Sequence, residues 1–205
     1  MIQNFESDKK TLEYYQSKAK DFFDNTVWID LNDLYQPFLE LIPKTGIILD
    51  AGCGSGRDTR FFMHQGLKVI AFDNSSKMVK LASDFTGREC LHLSFEEIEF
   101  KNKFHGVWAC SSLLHVPKNR MLHVLGKLNV ALKPAGIMYI SFKYGDAEFF
   151  KDGRHFSNYT EKSFTILLAK LKGIDIIRYW KTSDLRPGRK NEKWLNILLK
   201  KTIKY

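Results

Sequence analysis

The sequence predicts an α/β fold with a doubly wound, mostly parallel sheet and helices on both faces. Two observations carry that prediction. Short apolar runs at residues 47–49, 67–72 and 107–110 read as buried strands and alternate with segments of helical periodicity. The first of these runs ends in Asp50 and passes through Gly52, Gly54 and Gly56 into a helical pattern at 57–65, the strand–turn–helix opening of a βαβ unit.

That turn is the most informative stretch of the chain. Glycine has no side chain and tolerates positive φ, so a ligand can approach the backbone there and meet its N–H groups. Three nucleotide-binding patterns compete. A phosphate-cradling loop needs Gly-Lys-Ser/Thr, and the chain has Gly56-Arg57-Asp58. A dinucleotide fingerprint counted from Gly52 needs glycine at 57, which is arginine. What remains is Asp-x-Gly-x-Gly-x-Gly, whose acid repels pyrophosphate and suits a ligand with an ammonium group; the plainer alternative is a turn that only joins strand to helix. Residues 67–73 read as a second strand ending in Asp73. This acid stands roughly 20 residues past the turn, where a carboxylate accepts hydrogen bonds from ribose hydroxyls, or it serves as a helix N-terminal acid ahead of Ser75 and Ser76.

At Asp50, Gly52, Gly54, Gly56 and Asp73 the chain resembles the class I S-adenosylmethionine-dependent methyltransferases, over residues 14–200. The resemblance implies S-adenosylmethionine as cofactor and a seven-stranded sheet that closes with a C-terminal antiparallel hairpin. It implies one domain over 1–205, with an N-terminal helical extension at 1–43 that forms a lid over a core at 44–205. In the donor site it implies Asp50, Gly52 and Gly54 at the turn and Asp73 with Asn74 at the ribose. Met78 corresponds to a residue against the adenine ring. Many relatives place an aspartate on the adenine amino group; here that position is Ser94, a weaker acceptor, followed by Phe95. Tyr14, Tyr15, Ala19 and Phe22 resemble the aromatic opening of the lid, with packing on the sheet as the alternative. Tyr15 and Ser111 complete the implied cofactor contacts.

Composition bounds the setting. The 205 residues are 44% hydrophobic, which suits a folded domain. No run of about 18 apolar residues occurs, so no membrane span is expected. The N-terminus lacks the basic-then-apolar plan of a signal peptide. Cys53, Cys90 and Cys110 are widely spaced and fit neither a disulfide framework nor a zinc site, so a reduced cytoplasmic protein without a metal is expected. The net charge of +9 admits nucleic acid or an anionic small substrate as partner, or a basic surface that only aids solubility. The last 25 residues set eight basic side chains, Lys200, Lys201 and Lys204 among them, against Asp184 and Glu192.

The remaining elements place the acceptor chemistry. Segments 12–23 and 30–41 have helical spacing and precede the first strand, so they are available to cover a cleft. Residues 76–85 read as a helix, 90–98 as strand then turn, and 118–133 as an amphipathic helix stopped by Pro134 and Gly136. The strand at 107–110 leads to Ser111, Ser112 and His115, and the strand at 137–142 leads to Tyr144; the carboxyl ends of such strands line the ligand cleft. Residues 152–156 read as a polar loop, 160–171 as a helix capped by Thr160 and Gly173, and 175–181 and 194–200 as strands joined by a turn containing Arg186-Pro187-Gly188-Arg189. His115 is the candidate general base, or a structural histidine. Tyr144, Arg186 and Arg189 are the other candidate catalytic residues, and the arginines, with Arg154, form a candidate clamp for an anionic acceptor or a plain surface turn.

Gly54-Ser55-Gly56-Arg57-Asp58 together with Leu113-Leu114-His115-Val116 is similar to the thiol and tellurite methyltransferase-like group, and this implies a small, anionic or thiol-like acceptor. The Asn/Asp-Pro-Pro-Tyr/Phe signature of amino-group methyltransferases acting on adenine, cytosine or glutamine is absent. Two other classes compete: a tRNA or other RNA methyltransferase, which the basic charge favours, and a non-catalytic module that binds the cofactor. No separate RNA-binding motif supports the first, and the intact donor residues weigh against the second.

Overall fold

Residues 2–186 and 188–202 are described by a computed structural model, residues 2–7 by their backbone only. Pro187 of the basic turn and Lys204 of the tail lie outside the described residues. The elements in chain order are α1 (Ile2–Ser17), α2 (Ala19–Thr26), α3 (Asn32–Leu39), β1 (Ile47–Ala51), α4 (Arg57–His64), β2 (Lys68–Asp73), α5 (Ser76–Thr86), β3 (Cys90–His92), β4 (Phe104–Ala109), α6 (Lys118–Ala131), β5 (Leu132–Lys143), β6 (Glu148–Lys151), β7 (Arg154–Ser157), α7 (Glu161–Leu168), β8 (Ile174–Ser183) and β9 (Lys193–Lys201). Seven strands form one sheet in the order β3-β2-β1-β4-β5-β9-β8. It is parallel from β3 to β5, while β9 runs antiparallel to both β5 and β8. The α/β sheet with its C-terminal antiparallel hairpin is the fold the strand pattern and the resemblance imply.

Alternation along the strands builds two core layers, because successive side chains point to opposite faces. Leu49, Val107, Met138, Ile140 and Phe142 pack with Met121, Val124, Leu125 and Leu128 of α6 and Phe164 and Leu168 of α7. Ile48, Trp108, Ile137 and Tyr139 pack on the opposite face with Leu34, Tyr35 and Phe38 of α3 and Phe62 of α4. The strand order reverses between β1 and β4, which opens a crevice at the carboxyl ends of these strands.

Four local features differ from the sequence reading. The segment expected as one helix over 12–23 is broken at Lys18, which leaves helical geometry at φ −108° and ψ 16° between α1 and α2. Only three residues of 90–98 are strand; the chain then enters a single 3-10 turn, Phe95–Glu97, because the Ser94 backbone N–H and hydroxyl both bond Glu97. Pro134 and Gly136 do end α6, but β5 begins at Leu132 and passes through them with a register shift and Ala135 at φ 62°. The polar loop expected at 152–156 is the tip of a hairpin, β6–β7, in which Lys151 faces Arg154 and Asp152 and Gly153 both have positive φ. That is the two-residue turn Asp-Gly favours.

The N-terminal helices lie across the cleft. Gln16 Nε2 donates to Ser76 Oγ at 3.0 Å at the start of α5, and Thr11 Oγ1 accepts from His155 N–H at 3.0 Å on β7. Phe23 and Trp28 meet Phe85 edge-on, and Arg120 pairs with Asp8 at 2.6 Å. Among the described residues no helix is long and apolar enough to cross a membrane.

Candidate active site

A cavity of about 1430 Å³ occupies the crevice, floored by the glycine turn and roofed by α1 and α2. Of the residues expected at the donor, Tyr15, Gly52, Gly54, Asp73, Asn74, Ser94, Phe95 and Ser111 line it, as do His115, Tyr144, Arg186 and Arg189. Gly52, Gly54 and Gly56 have φ of 76°, 54° and 77°, the left-handed region that glycine alone enters cheaply. The N–H groups of Gly52 and Cys53 both donate to Phe72 O, at 3.0 and 2.9 Å, so the turn is bound to the end of β2. Cys53 also rests against Cys90, with the two free thiol sulfurs 3.1 Å apart.

Asp73 ties the turn to the next helix. Its Oδ2 accepts from Gly54 N–H and its Oδ1 from Ser75 N–H, each at 2.9 Å. Ser75 in turn caps α5 by accepting from Met78 N–H. A carboxylate offers about four lone-pair sites, so after two backbone bonds Asp73 keeps capacity for hydroxyl donors. Burial raises its pKa, and the backbone N–H groups of Ser75 and Gly54 oppose that.

Two expected cofactor contacts are set back from the cavity. Asp50 is 2% exposed and does not line it; Thr59 Oγ1 donates to Asp50 Oδ2 at 2.5 Å, so this acid holds the first turn of α4 instead of facing a ligand. Burial, then the neighbouring charge of Asp58, pushes the Asp50 carboxyl up to about 8. Met78 is fully buried beneath α5 and also does not reach the cavity. A methionine at helical spacing is core here.

Behind the turn lies a network the sequence reading missed. Asp58, 5% exposed, accepts from Tyr35 Oη at 2.6 Å, Trp108 Nε1 at 2.8 Å, and Arg57 Nε and Nη2 at 2.6 and 3.1 Å. Burial disfavours its charge, but Arg57 and these donors outweigh that and lower its pKa. An acid at the second position after a glycine turn was the available signal; its partners on α3 and β4 are distant in sequence.

At the acceptor end, His115 has both ring nitrogens engaged. Its Nδ1 lies 2.7 Å from His155 O and its Nε2 lies 2.7 Å from Tyr15 Oη. A carbonyl only accepts, so Nδ1 carries the proton and Nε2 accepts from the Tyr15 hydroxyl. Burial lowers the His115 pKa to about 4 and pushes Tyr15 up to about 12. Arg154 sits beside this pair, its guanidinium 4.1 Å from the Tyr14 ring centre and 5.2 Å from that of Phe156.

Arg186 is less available than its position suggests. Its Nε and Nη2 donate to the two oxygens of Asp184 at 2.9 and 2.5 Å, and the same carboxylate takes Lys143 Nζ and Trp194 Nε1, each at 3.1 Å. Arg189 is more exposed and 3.9 Å from Glu192, and Tyr144 is 38% exposed with Lys181 Nζ 4.1 Å over its ring. The expected arginine clamp is thus internally paired at Arg186, while Arg154 packs against the Tyr14 and Phe156 rings.

A pH effect follows from His115. Its folded pKa of about 4 lies below the ordinary 6.5, so the neutral ring contributes stability that is fully present above 6.5 and is lost as pH falls toward 4. Arg154 and His155 flank it and oppose its protonation further. The loss should reach at most about 3 kcal/mol. Urea unfolding at neutral and mildly acidic pH measures it; a His115→Asn variant with an undiminished acid slope would assign that slope to other groups.

Known proteins share part of this sequence and its fold. The family described as "Methyltransferase domain" matches residues 48–136, from β1 through the glycine turn into β5. A tRNA (carboxymethyluridine(34)-5-O)-methyltransferase of Arabidopsis thaliana is 29% identical over 106 residues, 51% of this chain and 26% of that protein. An uncharacterized methyltransferase of Schizosaccharomyces pombe is 34% identical over 61 residues, 29% of this chain and 42% of that protein. The chain thus spans less than half the length of these curated relatives. Among solved structures, the Burkholderia thailandensis 1,6-didemethyltoxoflavin-N1-methyltransferase with bound 1,6-didemethyltoxoflavin and S-adenosylhomocysteine superposes with a TM-score of 0.77 at 20% identity, over 98% of this chain and 89% of that one. The magnesium protoporphyrin IX methyltransferase of Synechocystis with bound S-adenosylmethionine gives 0.69 at 18%, over 93% and 94%. At these identities the structural likeness is one of fold. Residues 48–136 therefore match a methyltransferase domain, and the chain as a whole has the class I fold of these solved methyltransferases.

Proposed function

We propose that this chain transfers the methyl group of S-adenosylmethionine to a small acceptor held in the same cavity. The observation that carries the reading is the continuity of one cavity from the glycine turn and Asp73 to the wall formed by Tyr15, His115 and Arg154. The donor end fits the cofactor: Gly54 presents no side chain, a Cβ there would come 3.3 Å from Phe22, and Asp73 retains lone pairs for ribose hydroxyls. Gly52, Gly54, Asp73, Asn74, Ser94, Phe95 and Ser111 would hold it. When bound it supplies a methyl already activated by the sulfonium charge. The protein then has to align the acceptor and exclude water, and the roof of α1 and α2 serves the second need.

A second reading, an RNA methyltransferase, is favoured by the charge of +9 and by the Arabidopsis relative. The thiol and tellurite-like subgroup rests on the motifs at 54–58 and 113–116 alone, and a cytoplasmic setting belongs to the same reading. Transfer of labelled methyl to a small-metabolite fraction and to an RNA fraction separates the readings: label in the first supports a small acceptor, and label in the second alone supports RNA.

Asp73→Ala should weaken S-adenosylhomocysteine binding at least about tenfold, because hydroxyls lose a charged acceptor and the Gly54 N–H loses its partner. Asp73→Asn keeps the shape and should fall between. Calorimetry showing wild-type affinity in a folded Asp73→Ala protein would remove the ribose role.

A further inference from the structure

The wall facing the donor end combines a cation without an acid partner and a histidine without a free nitrogen. Among the described residues five half-buried cations line the cavity: Arg57, Arg120, Lys143, Arg154 and Arg186. Four are neutralised from within. Arg57 pairs with Asp58 at 2.6 Å, Arg120 with Asp8 at 2.6 Å, Lys143 with Asp184 at 3.1 Å, and Arg186 with Asp184 at 2.5 Å. Arg154 has no carboxylate partner among the described residues; it is held by the Tyr14 and Phe156 rings and by the Tyr15 hydroxyl, and its buried Nε has no hydrogen-bond partner. A desolvated guanidinium of this kind favours a planar anion that accepts two parallel hydrogen bonds.

The same wall offers no free base. His115 Nδ1 is bound to His155 O, and its Nε2 already accepts from the Tyr15 hydroxyl. An alcohol or an amine cation would have to lose a proton to be methylated, and a thiol with an ordinary pKa near about 8.5 is mostly protonated at neutral pH. A carboxylate meets both conditions, since it arrives ionised and presents a planar anion.

Building on the methyl-transfer reading, we propose that the atom methylated is a carboxylate oxygen, held by Arg154 beside the Tyr15–His115 pair and converted to a methyl ester. A lone pair on the carboxylate oxygen forms the new O–CH3 bond while the S–CH3 bond breaks and its electrons stay on sulfur. The carboxylate negative charge and the sulfonium positive charge cancel, giving a neutral ester and a neutral thioether. No proton moves, which is why the site works without a base. The ester no longer carries the charge that Arg154 attracts, and this favours its release. The carboxylate sits on a free organic acid or on a modified nucleoside of tRNA; the chemistry at Arg154 is shared.

The test uses the full chain with S-adenosylmethionine labelled in the methyl group, incubated separately with an acid-soluble metabolite fraction and with bulk tRNA. Methyl esters release methanol in mild alkali, whereas methyl groups on nitrogen, sulfur or ether oxygen do not. The expected result is label that becomes volatile in alkali, in whichever arm accepts it, with a transfer rate flat between about pH 6 and 9. Arg154→Ala should lower transfer at least about tenfold, and Arg154→Lys less, with S-adenosylhomocysteine affinity within about twofold of wild type in both. Alkali-stable label would overturn the carboxylate while leaving methyl transfer standing, as would normal transfer by Arg154→Ala. Absence of label in both arms would overturn methyl transfer itself, and this inference with it.

Discussion

Gly52→Val should abolish binding of the methyl donor. Gly52 sits at φ 76°, where a β-branched residue is strongly disfavoured, and a Cβ there would lie 2.5 Å from Ser112 Cβ. Ser112 cannot step aside freely, because its hydroxyl donates to Ala51 O at 2.6 Å. The turn cannot move the other way without breaking the paired N–H bonds of Gly52 and Cys53 to Phe72 O. The affinity for S-adenosylhomocysteine should fall more than about a hundredfold, near 3 kcal/mol, with a stability loss of about 1–3 kcal/mol from backbone strain. Gly87→Ala is the matched control: its φ is 66°, but no atom lies within 4 Å of an added Cβ, so it suffers strain alone and should bind the donor normally. A folded Gly52→Val protein with wild-type affinity would mean that the ligand sits elsewhere.

Asp58→Ala should cause the largest loss of stability. It removes the shared acceptor of Tyr35 and Trp108 and leaves Arg57, whose side chain is 19% exposed, without its counter-ion. Deleting one partner of a buried, hydrogen-bonded ion pair costs about 3–5 kcal/mol, because the remaining charge stays desolvated. Trp108 stacks on Tyr139 at 3.9 Å between ring centres, and Tyr35 stacks on Phe61 at 3.7 Å, so the loss should spread through the α3–α4 face. A double variant, Arg57→Met with Asp58→Leu, should recover much of it, since no buried charge is then orphaned. Equilibrium unfolding in urea decides the matter; a loss below about 1 kcal/mol for Asp58→Ala would show that solvent reaches Arg57.

The fold was legible because its main signals are local. The apolar runs and the glycine turn each act within a few residues and stand where the sequence placed them, whereas Pro134 lies inside β5. The β6–β7 hairpin was misread although Asp152-Gly153 is a strong turn signal, because the flanking strands are only four residues long and β6 is exposed throughout. The glycine turn and the place of Asp73 beside it were readable, since both are fixed by backbone geometry. Asp50 and Met78 were misplaced because sequence gives their position along an element but not their depth. The acceptor half depends on contacts across the chain, such as Tyr15 with His115 and Arg154 with Tyr14, and no sequence period encodes those. Arg186 was over-read for the same reason: Asp184, two residues before it, already pairs with it, while Arg189 still lines the cavity.

The most direct test of the donor site is calorimetric titration of the full chain with S-adenosylhomocysteine. One molecule should bind per chain, with affinity lost in Gly52→Val, reduced in Asp73→Ala and unchanged in Gly87→Ala and Arg154→Ala. Absence of binding by the wild-type chain, or equal affinity across all four variants, would contradict the assignment of the cavity to S-adenosylmethionine.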